Sequence, residues 1–495
     1  MIDKVHKAGS KEWLGLTIIA LPCMIYAMDL TILNLAVPKL SEDLEPSGSQ
    51  LLWIVDIYGF LVAGLLITMG TLGDKIGRRK LLLFGAATFG LASLLAAFSS
   101  SANLLILSRA ILGVAGATLA PSTLSLIRNM FHNPKERTMA IGVWITSFSV
   151  GGAIGPVVGG IIIEYYWWGA VFLVSIPVML LLLLLGPRLL PEFRDPDAGR
   201  IDLASVFLSL GAVLFLIYGV KDSVQAGLNA TAMITALVGL GAAFIFFKRQ
   251  ERLSAPLLDL NLFRDRMFSV SLGLYAFSTF ALFGMFFFVA QYLQLVLGLS
   301  PFMAGLWGLP SAAGFIIGSL SVSSLTRVIS PVYLMAVGCL VAASGFSFLI
   351  FLNGQSDLIT LVTGFTVFSL GCSPVFTLAT DVVVGSAPPQ KAGIASSLSE
   401  TSSELGGAMG IAILGSIGTL VYKQGLKNAT IPDAISADTL GGVVASLSQG
   451  SGPQSGYFLD LARQSFVAGL NLAAAIAALI SLILAVLCVV VLRNN

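Results

Sequence analysis

Hydrophobic residues do not alternate with polar ones along this chain; they come in long runs divided by short polar breaks. The runs fall near 13–37, 51–72, 81–99, 103–127, 139–163, 168–186, 204–220, 230–247, 269–297, 303–326, 331–352, 358–384, 393–421 and 466–492. Each approaches or exceeds the roughly 20 residues a helix needs to cross the hydrocarbon core of a bilayer. The pattern therefore predicts an all-α polytopic membrane protein with fourteen spans. The first run follows Lys4, Lys7 and Lys11, yet it is longer than the ~7–15 apolar residues of a cleaved signal and has no small-residue cleavage site after it. It is expected to stay as the first span.

Composition agrees with this pattern and narrows the function. Hydrophobic residues make up 56% of the chain and charged residues 11%, whereas a soluble domain carries about a quarter charged residues. The formal net charge of +2 carries no message about nucleic acid, and no nucleic-acid partner is expected. What matters is where the charges fall. Lys75, Arg78, Arg79, Lys80, Arg128, Lys135, Arg137 and the basic stretch 248–266 occupy alternate loops, and the positive-inside rule then places both termini in the cytoplasm. The segment 422–465, rich in Ser, Gly, Asp and Asn, becomes an external hairpin or lid. Cys23, Cys339, Cys372 and Cys488 lie inside apolar runs without ligand spacing and read as packing residues. His6 and His132 lie in the tail and in a loop, so neither a metal site nor a nucleophile constellation supports an enzyme, and no metal or cofactor is expected. A channel would need a continuous polar pore, which so few intramembrane charges do not supply.

Those few charges are the candidate chemistry, because an ionisable side chain at a helix centre costs about 2.5–3.5 kcal/mol on insertion scales. Asp29, Asp56, Arg109, Glu400 and Glu404 lie inside runs, and Asp381 lies close enough to a run's end to be expected to snorkel. Asp29, Asp56 and Arg109 fall at similar depths and can meet around one cavity, as proton or cation sites. A structural Asp–Arg pair that only fixes helix register is the plainer reading of Arg109. Glu400 and Glu404 are four residues apart, hence on one helical face, where mutual repulsion disfavours two ionised carboxylates and suits reversible protonation. Tyr26, Asn34, Trp53, Tyr58, Trp144 and Phe148 are the candidate cavity residues, aromatic rings being suited to flat or quaternary cations. Trp53 equally fits a place at the membrane interface.

Longer motifs add a family. Gly70-Thr-Leu-Gly73-Asp74-Lys-Ile-Gly77-Arg78-Arg79-Lys80, on the turn between the second and third spans, resembles the loop motif of the major facilitator superfamily. Its glycines allow a tight turn, and Asp74 and Arg78 can lock helix ends that must separate when two halves rock. Arg109-Ala-Ile-Leu-Gly113 resembles that family's Arg-containing motif, with Leu112 standing where Gln is common. Gly151-Gly-Ala-Ile-Gly155-Pro156-Val-Val-Gly159-Gly160 is similar to the antiporter motif of its exporters, although a small-residue packing face would read the same way. Asp29-Leu-Thr-Ile-Leu-Asn34-Leu-Ala-Val-Pro38 looks like the signature of the fourteen-helix drug:proton antiporters, and Asp202-Leu-Ala-Ser, Gln291-Tyr-Leu-Gln294 and Glu404-Leu-Gly406-Gly407 read like the same group, within it the exporters of quaternary ammonium compounds and methyl viologen.

The resemblance covers nearly the whole chain. It implies a major facilitator fold with an N-terminal six-helix bundle over 1–190, an inserted helix pair over 191–268 and a C-terminal six-helix bundle over 269–495. Gly318 to Arg327 occupies the second copy of the loop motif, but without its acidic residue. The implied function is proton-coupled efflux of lipophilic mono- and divalent cations by alternating access, in a bacterial inner membrane. The implied partners are cationic small molecules, protons and the lipid bilayer; a monomer suffices, and the proton gradient replaces any cofactor. The runner-up is a proton-coupled exporter of a neutral or zwitterionic metabolite, which the excess of intramembrane acids over Arg109 disfavours.

Overall fold

The computed structural model describes residues 8–492 apart from 47, 195–201, 227–228, 254–255, 355–356, 389–391, 428–439, 442 and 445–454. Within helices, the side chains of Asn34, Asp56 and Pro156 lie outside the described set. The described chain is helical: α1 (Ser10–Leu44), α2 (Gly48–Ile76), α3 (Arg78–Ala97), α4 (Ala102–Met130), α5 (Pro134–Tyr165), α6 (Ala170–Leu189, interrupted at Val174), α7 (Leu203–Ala226), α8 (Ala230–Gln250), α9 (Arg266–Gln291), α10 (Pro301–Leu325), α11 (Pro331–Ile350), α12 (Leu358–Ser386), α13 (Ala392–Leu426) and α14 (Ser455–Leu492). Among the described residues thirteen of these are long and apolar enough to cross a membrane, and α7 has a shorter apolar stretch, Leu203–Gly219. Of the loop expected over 422–465, residues 422–426 belong to α13 and 455–465 to α14, and most of the rest, with the expected hairpin or lid, lies outside the described residues.

Helices prevail because lipid offers no partner for backbone N–H and C=O groups, so each must be paired within its own segment. Their starts are written in the sequence. Asn133 accepts from the Lys135 amide at 3.0 Å with Pro134 opening α5, Asn229 accepts from Ala232 at 2.7 Å, and Ser300 accepts from Met303 at 3.2 Å with Pro301 opening α10. These are side-chain caps, two of them followed by helix-compatible prolines. Between α2 and α3 the whole connection is Gly77, at φ 112. The left-handed region is open to glycine and costs other residues about 1–2 kcal/mol. Gly77→Ala is expected to lower the melting temperature in detergent, both from this strain and because its methyl would press on the Glu192 carboxylate. An unchanged melting temperature would speak against the strain argument.

Packing repeats through the chain. In the first group, α1 lies on α5, α2 on α4, and α3 on both α4 and α6; in the second, α9 lies on α13, α10 on α12, and α11 on both α12 and α14. Helix n of the first group thus corresponds to helix n + 8 of the second, the parallel internal repeat that the faint sequence symmetry barely hints at. Small residues make the closest seam in both copies. On α5, a Cβ at Gly151 would strike the Met24 carbonyl, one at Gly155 would meet Thr31 and Met28, and one at Gly159 would meet Ile32. On α13, Gly406 and Gly410 approach the carbonyls of Ala276 and Phe280 on α9 in the same way. Close backbone approach substitutes for the missing hydrophobic drive between helices in lipid. Gly152 and Gly160 face open space, so only the three glycines spaced four apart, Gly151, Gly155 and Gly159, serve the seam. The pair α7–α8 packs on itself and, through α7, on α2 and α13.

Candidate functional site

Odd-numbered helices start, and even-numbered helices end, on the side of the molecule where Gly77 joins α2 to α3; this is called the turn end here. Near mid-depth, α1, α2, α4 and α13 bring together the predicted polar residues. The Arg109 guanidinium is 1% exposed and pairs with Asp29 at 2.5 Å. Its Nε donates to the Ile54 carbonyl at 3.1 Å, and its Cζ lies 4.6 Å from the centre of the Tyr58 ring. A buried cation is tolerated only when answered in this way. Asp29 and Arg109 therefore meet as the sequence suggests, and the pair occupies both. The Asp56 side chain lies outside the described residues, as does that of Asn34.

On the other side of the interface between groups, Glu404 receives a hydrogen bond from the Tyr26 hydroxyl at 3.3 Å. Glu400, one turn nearer the turn end, has an interior Oε1 with no hydrogen-bond partner among the described residues. Neither glutamate forms an ion pair there, in contrast to Asp29. Tyr26 packs with Tyr58 at 5.9 Å and with Phe148 at 5.8 Å, so aromatic rings run continuously from the carboxylates of α13 to Arg109. Two expected cavity residues take other places. Trp144 is 1% exposed, donates to Thr123 at 2.9 Å and backs Phe148 at 4.8 Å, so it supports the ring cluster from behind. Trp53 is 44% exposed and packs on Phe60, away from Tyr26 and Tyr58, as the interface reading of this residue requires.

The sequence named the second group's carboxylates, Glu400 and Glu404, but not the rings around them. Tyr275 on α9 lies within electrostatic reach of Glu400 and packs edge-on against Phe376 at 5.0 Å, which in turn meets Phe315 at 5.5 Å. With 31 phenylalanines in the chain, nothing marked these two. Only a tyrosine inside the apolar run 269–297 was a usable signal.

At the turn end the two groups are held shut at two corners. In the first, Arg78 is fully buried, pairs with Asp74 and lies against Gly73 and Gly393, where a Cβ on Gly393 would overlap its guanidinium. Gly70 approaches Ser397 and the Gly393 carbonyl in the same corner. Arg79 instead holds α3 to the end of α6, donating to the carbonyls of Pro187 and Leu190 at 3.0 Å. Arg78 of the loop motif thus faces Gly393 of the second group.

The other corner corrects an expectation. Asp381 does not snorkel: it is 8% exposed, accepts from Arg137 Nε at 2.5 Å and from the Thr138 hydroxyl at 2.6 Å, both on α5. The Ser319 hydroxyl donates to the Gly142 carbonyl at 3.2 Å beside it. The second loop-motif copy lacks its acid, and the carboxylate paired at this corner is instead Asp381 on neighbouring α12. A cavity of about 480 Å³ flanks this pair, lined among others by Lys135, Arg137, Asp265 and Asp381; it is remote from the central glutamates. Breaking a well-paired interior charge releases much of what holds this corner. In Asp381→Asn, a cysteine placed at Ser319 is therefore expected to react with a water-soluble maleimide several-fold faster; an unchanged rate would remove the pair from closure.

Comparison with known proteins agrees with this geometry. The family model described as Major Facilitator Superfamily matches residues 19–411. The chain is 41% identical over 483 residues to the multidrug efflux pump LfrA of Mycolicibacterium smegmatis, covering 96% of this chain and 95% of that protein. It is 34% identical over 488 residues to the methyl viologen resistance protein SmvA of Salmonella typhimurium, covering 96% and 97%. Among solved structures, the human organic anion transporter MFSD10 (TETRAN) superposes with a TM-score of 0.62 at 16% identity, over 95% of this chain and 99% of that one, a likeness of fold alone. The chain belongs to the Major Facilitator Superfamily and is a multi-pass membrane transporter, not an enzyme.

Proposed function

We propose that the protein exports lipophilic mono- and divalent cations, such as quaternary ammonium compounds and viologens, in exchange for protons. The observation that carries this reading is the contrast between two sets of buried acids. Asp29 is matched by Arg109, whereas among the described residues Glu400 and Glu404 have a single tyrosine hydroxyl between them and no cation. Interior carboxylates without a basic partner must either take a proton or meet a positive ligand, and one site that does both exchanges the two. The rings of Tyr26, Tyr58 and Phe148 beside them suit a delocalised cation. The relatives known for multidrug efflux and methyl viologen resistance support the same substrate class.

The two bundles would rock about this site, with the Arg78 and Arg137 corners closing the turn end and opening to admit substrate. The basic loops favour a cytoplasmic turn end. Efflux of ethidium and methyl viologen from energised vesicles tests the proposal: both are expected to be expelled against their gradients, and a proton uncoupler is expected to stop it. Efflux that persists under the uncoupler would exclude proton exchange, and transport of neutral solutes alone would exclude the cation reading.

A further inference from the structure

The hairpin α7–α8 has no counterpart in the repeat, and it sits on only one of two equivalent seams between the groups. The repeat generates two such seams, α2 against α13 and α5 against α10. The first is covered. Leu210 of α7 fills the space beside Gly64, and Val213 and Ile217 are buried with Phe60 and Ala63 of α2, with Leu405 and Ala408 of α13 packed on the same cluster. Leu405 directly follows Glu404, so α7 packs on the stretch of α13 that carries Glu404.

Nearer the turn end the cover continues. Phe246 of α8 and Leu257 and Leu258 after it are buried with Ile394 and Leu398 of α13, and the Thr71 hydroxyl of α2 donates to the Leu257 carbonyl at 3.2 Å. The foot of the hairpin is clamped. Arg249 forks onto Asp202 at 2.6 and 3.0 Å, holding that carboxyl well below the usual carboxylate range. Gln250 donates to Ser205 at 2.8 Å and accepts from the Leu257 amide at 2.8 Å. Such a bidentate pair fixes geometry as well as charge.

Among the described residues the second seam has no such cover. Its faces touch near the turn end, where the Ser323 hydroxyl reaches Met139 at 3.4 Å. Eighteen residues make about five helical turns, so Val157 lies on the same face of α5 as Met139, and Gly305 on the same face of α10 as Ser323. There the faces have parted: Val157 is 36% exposed, and a side chain at Gly305 would meet nothing within 4 Å.

We propose that the α7–α8 hairpin is a one-sided seal, which closes the α2/α13 seam to lipid so that lateral exchange of lipophilic cations between bilayer and carboxylates passes through the α5/α10 seam. The proposal rests on the cation reading above. A lipophilic cation partitions into the bilayer, and an open seam directly behind Glu404 would give it a second path that bypasses the opening and closing of the two ends.

The test uses the full-length protein in proteoliposomes with a photoreactive tetraphenylphosphonium. Adducts are expected on the α5 and α10 seam faces and at the central rings, and not on the lipid-side faces of α2 and α13. In Val157→Trp, which adds bulk to the open seam, kcat/KM for tetraphenylphosphonium is expected to fall several-fold relative to that for water-soluble methyl viologen. General jamming would slow both cations alike and leave the ratio unchanged. An unchanged ratio, or adducts concentrated on α2 and α13, would overturn the seal. Failure of the wild-type protein to move either cation would overturn the functional reading itself.

Discussion

Glu404→Gln is expected to abolish concentrative efflux of divalent cations and to weaken that of monovalent ones, with expression and insertion unchanged. Two unit charges about 4 Å apart attract by about 4 kcal/mol at the effective dielectric of a protein site. Desolvation offsets part of this, and charge-assisted contacts retain about 1.5–3 kcal/mol, which is a factor of roughly ten to one hundred in affinity. A dication gains from both Glu400 and Glu404 and so loses more. Glutamine can still accept from Tyr26, which keeps the contact of Glu404 with α1 and makes the change one of charge. Vesicle efflux of methyl viologen and of a monovalent dye across imposed pH gradients checks this. Equal, small losses for both would leave Glu404 as a packing residue and point to Glu400.

Arg109→Ala is expected to destabilise the protein more than any change in the glutamates. The pair it breaks is interior on both sides, with side-chain exposures of 1% and 12%, and removing one partner of such a pair costs about 3–5 kcal/mol because the other is stranded. The loss also takes the Ile54 contact and the Tyr58 ring contact, so Arg109→Lys is expected to recover only part of it. Asp29→Asn in the Arg109→Ala background is expected to restore stability relative to the single change, since it removes the stranded charge. Thermal unfolding in detergent, read as a double-mutant cycle, decides: additive losses would mean that the two residues do not act as a pair. Because Asp29 is held by Arg109, efflux in Asp29→Asn also reports the loss of this pair.

Long apolar runs made the helices legible, because the bilayer demands a minimum length and tolerates few charges within it. That Arg109 could meet a carboxylate was legible for the same reason, since charges so rare in a span tend to answer one another, although Asp29 and Asp56 both stayed open as its partner. The α2–α3 turn could be read because its glycines and its acid–base pair are local, with Arg78 four residues after Asp74. What stayed hidden depends on partners far away in the chain. Arg137 and Asp381 are separated by 244 residues and Tyr26 and Glu404 by 378, and neither pair leaves a periodic trace. Asp381 looked like a snorkelling side chain only because its depth was known and its neighbour was not. Trp144 and Trp53 illustrate the same limit for aromatics: residue type suggested a cavity, while burial sent one behind it and the other outside it. The second small-residue seam, at Gly406 and Gly410, could have been found by looking for a copy of the α5 motif on α13, eight helices further on.

The central claim is that a cation and a proton compete for the Glu400–Glu404 carboxylates, and proton release on binding tests it most directly. Adding tetraphenylphosphonium to the purified protein in a weakly buffered solution should liberate protons in proportion to the cation bound. The yield should shrink in Glu400→Gln or Glu404→Gln, and vanish when both are replaced. Full cation binding with no proton released from the wild-type protein, or release undiminished in the double variant, would contradict it.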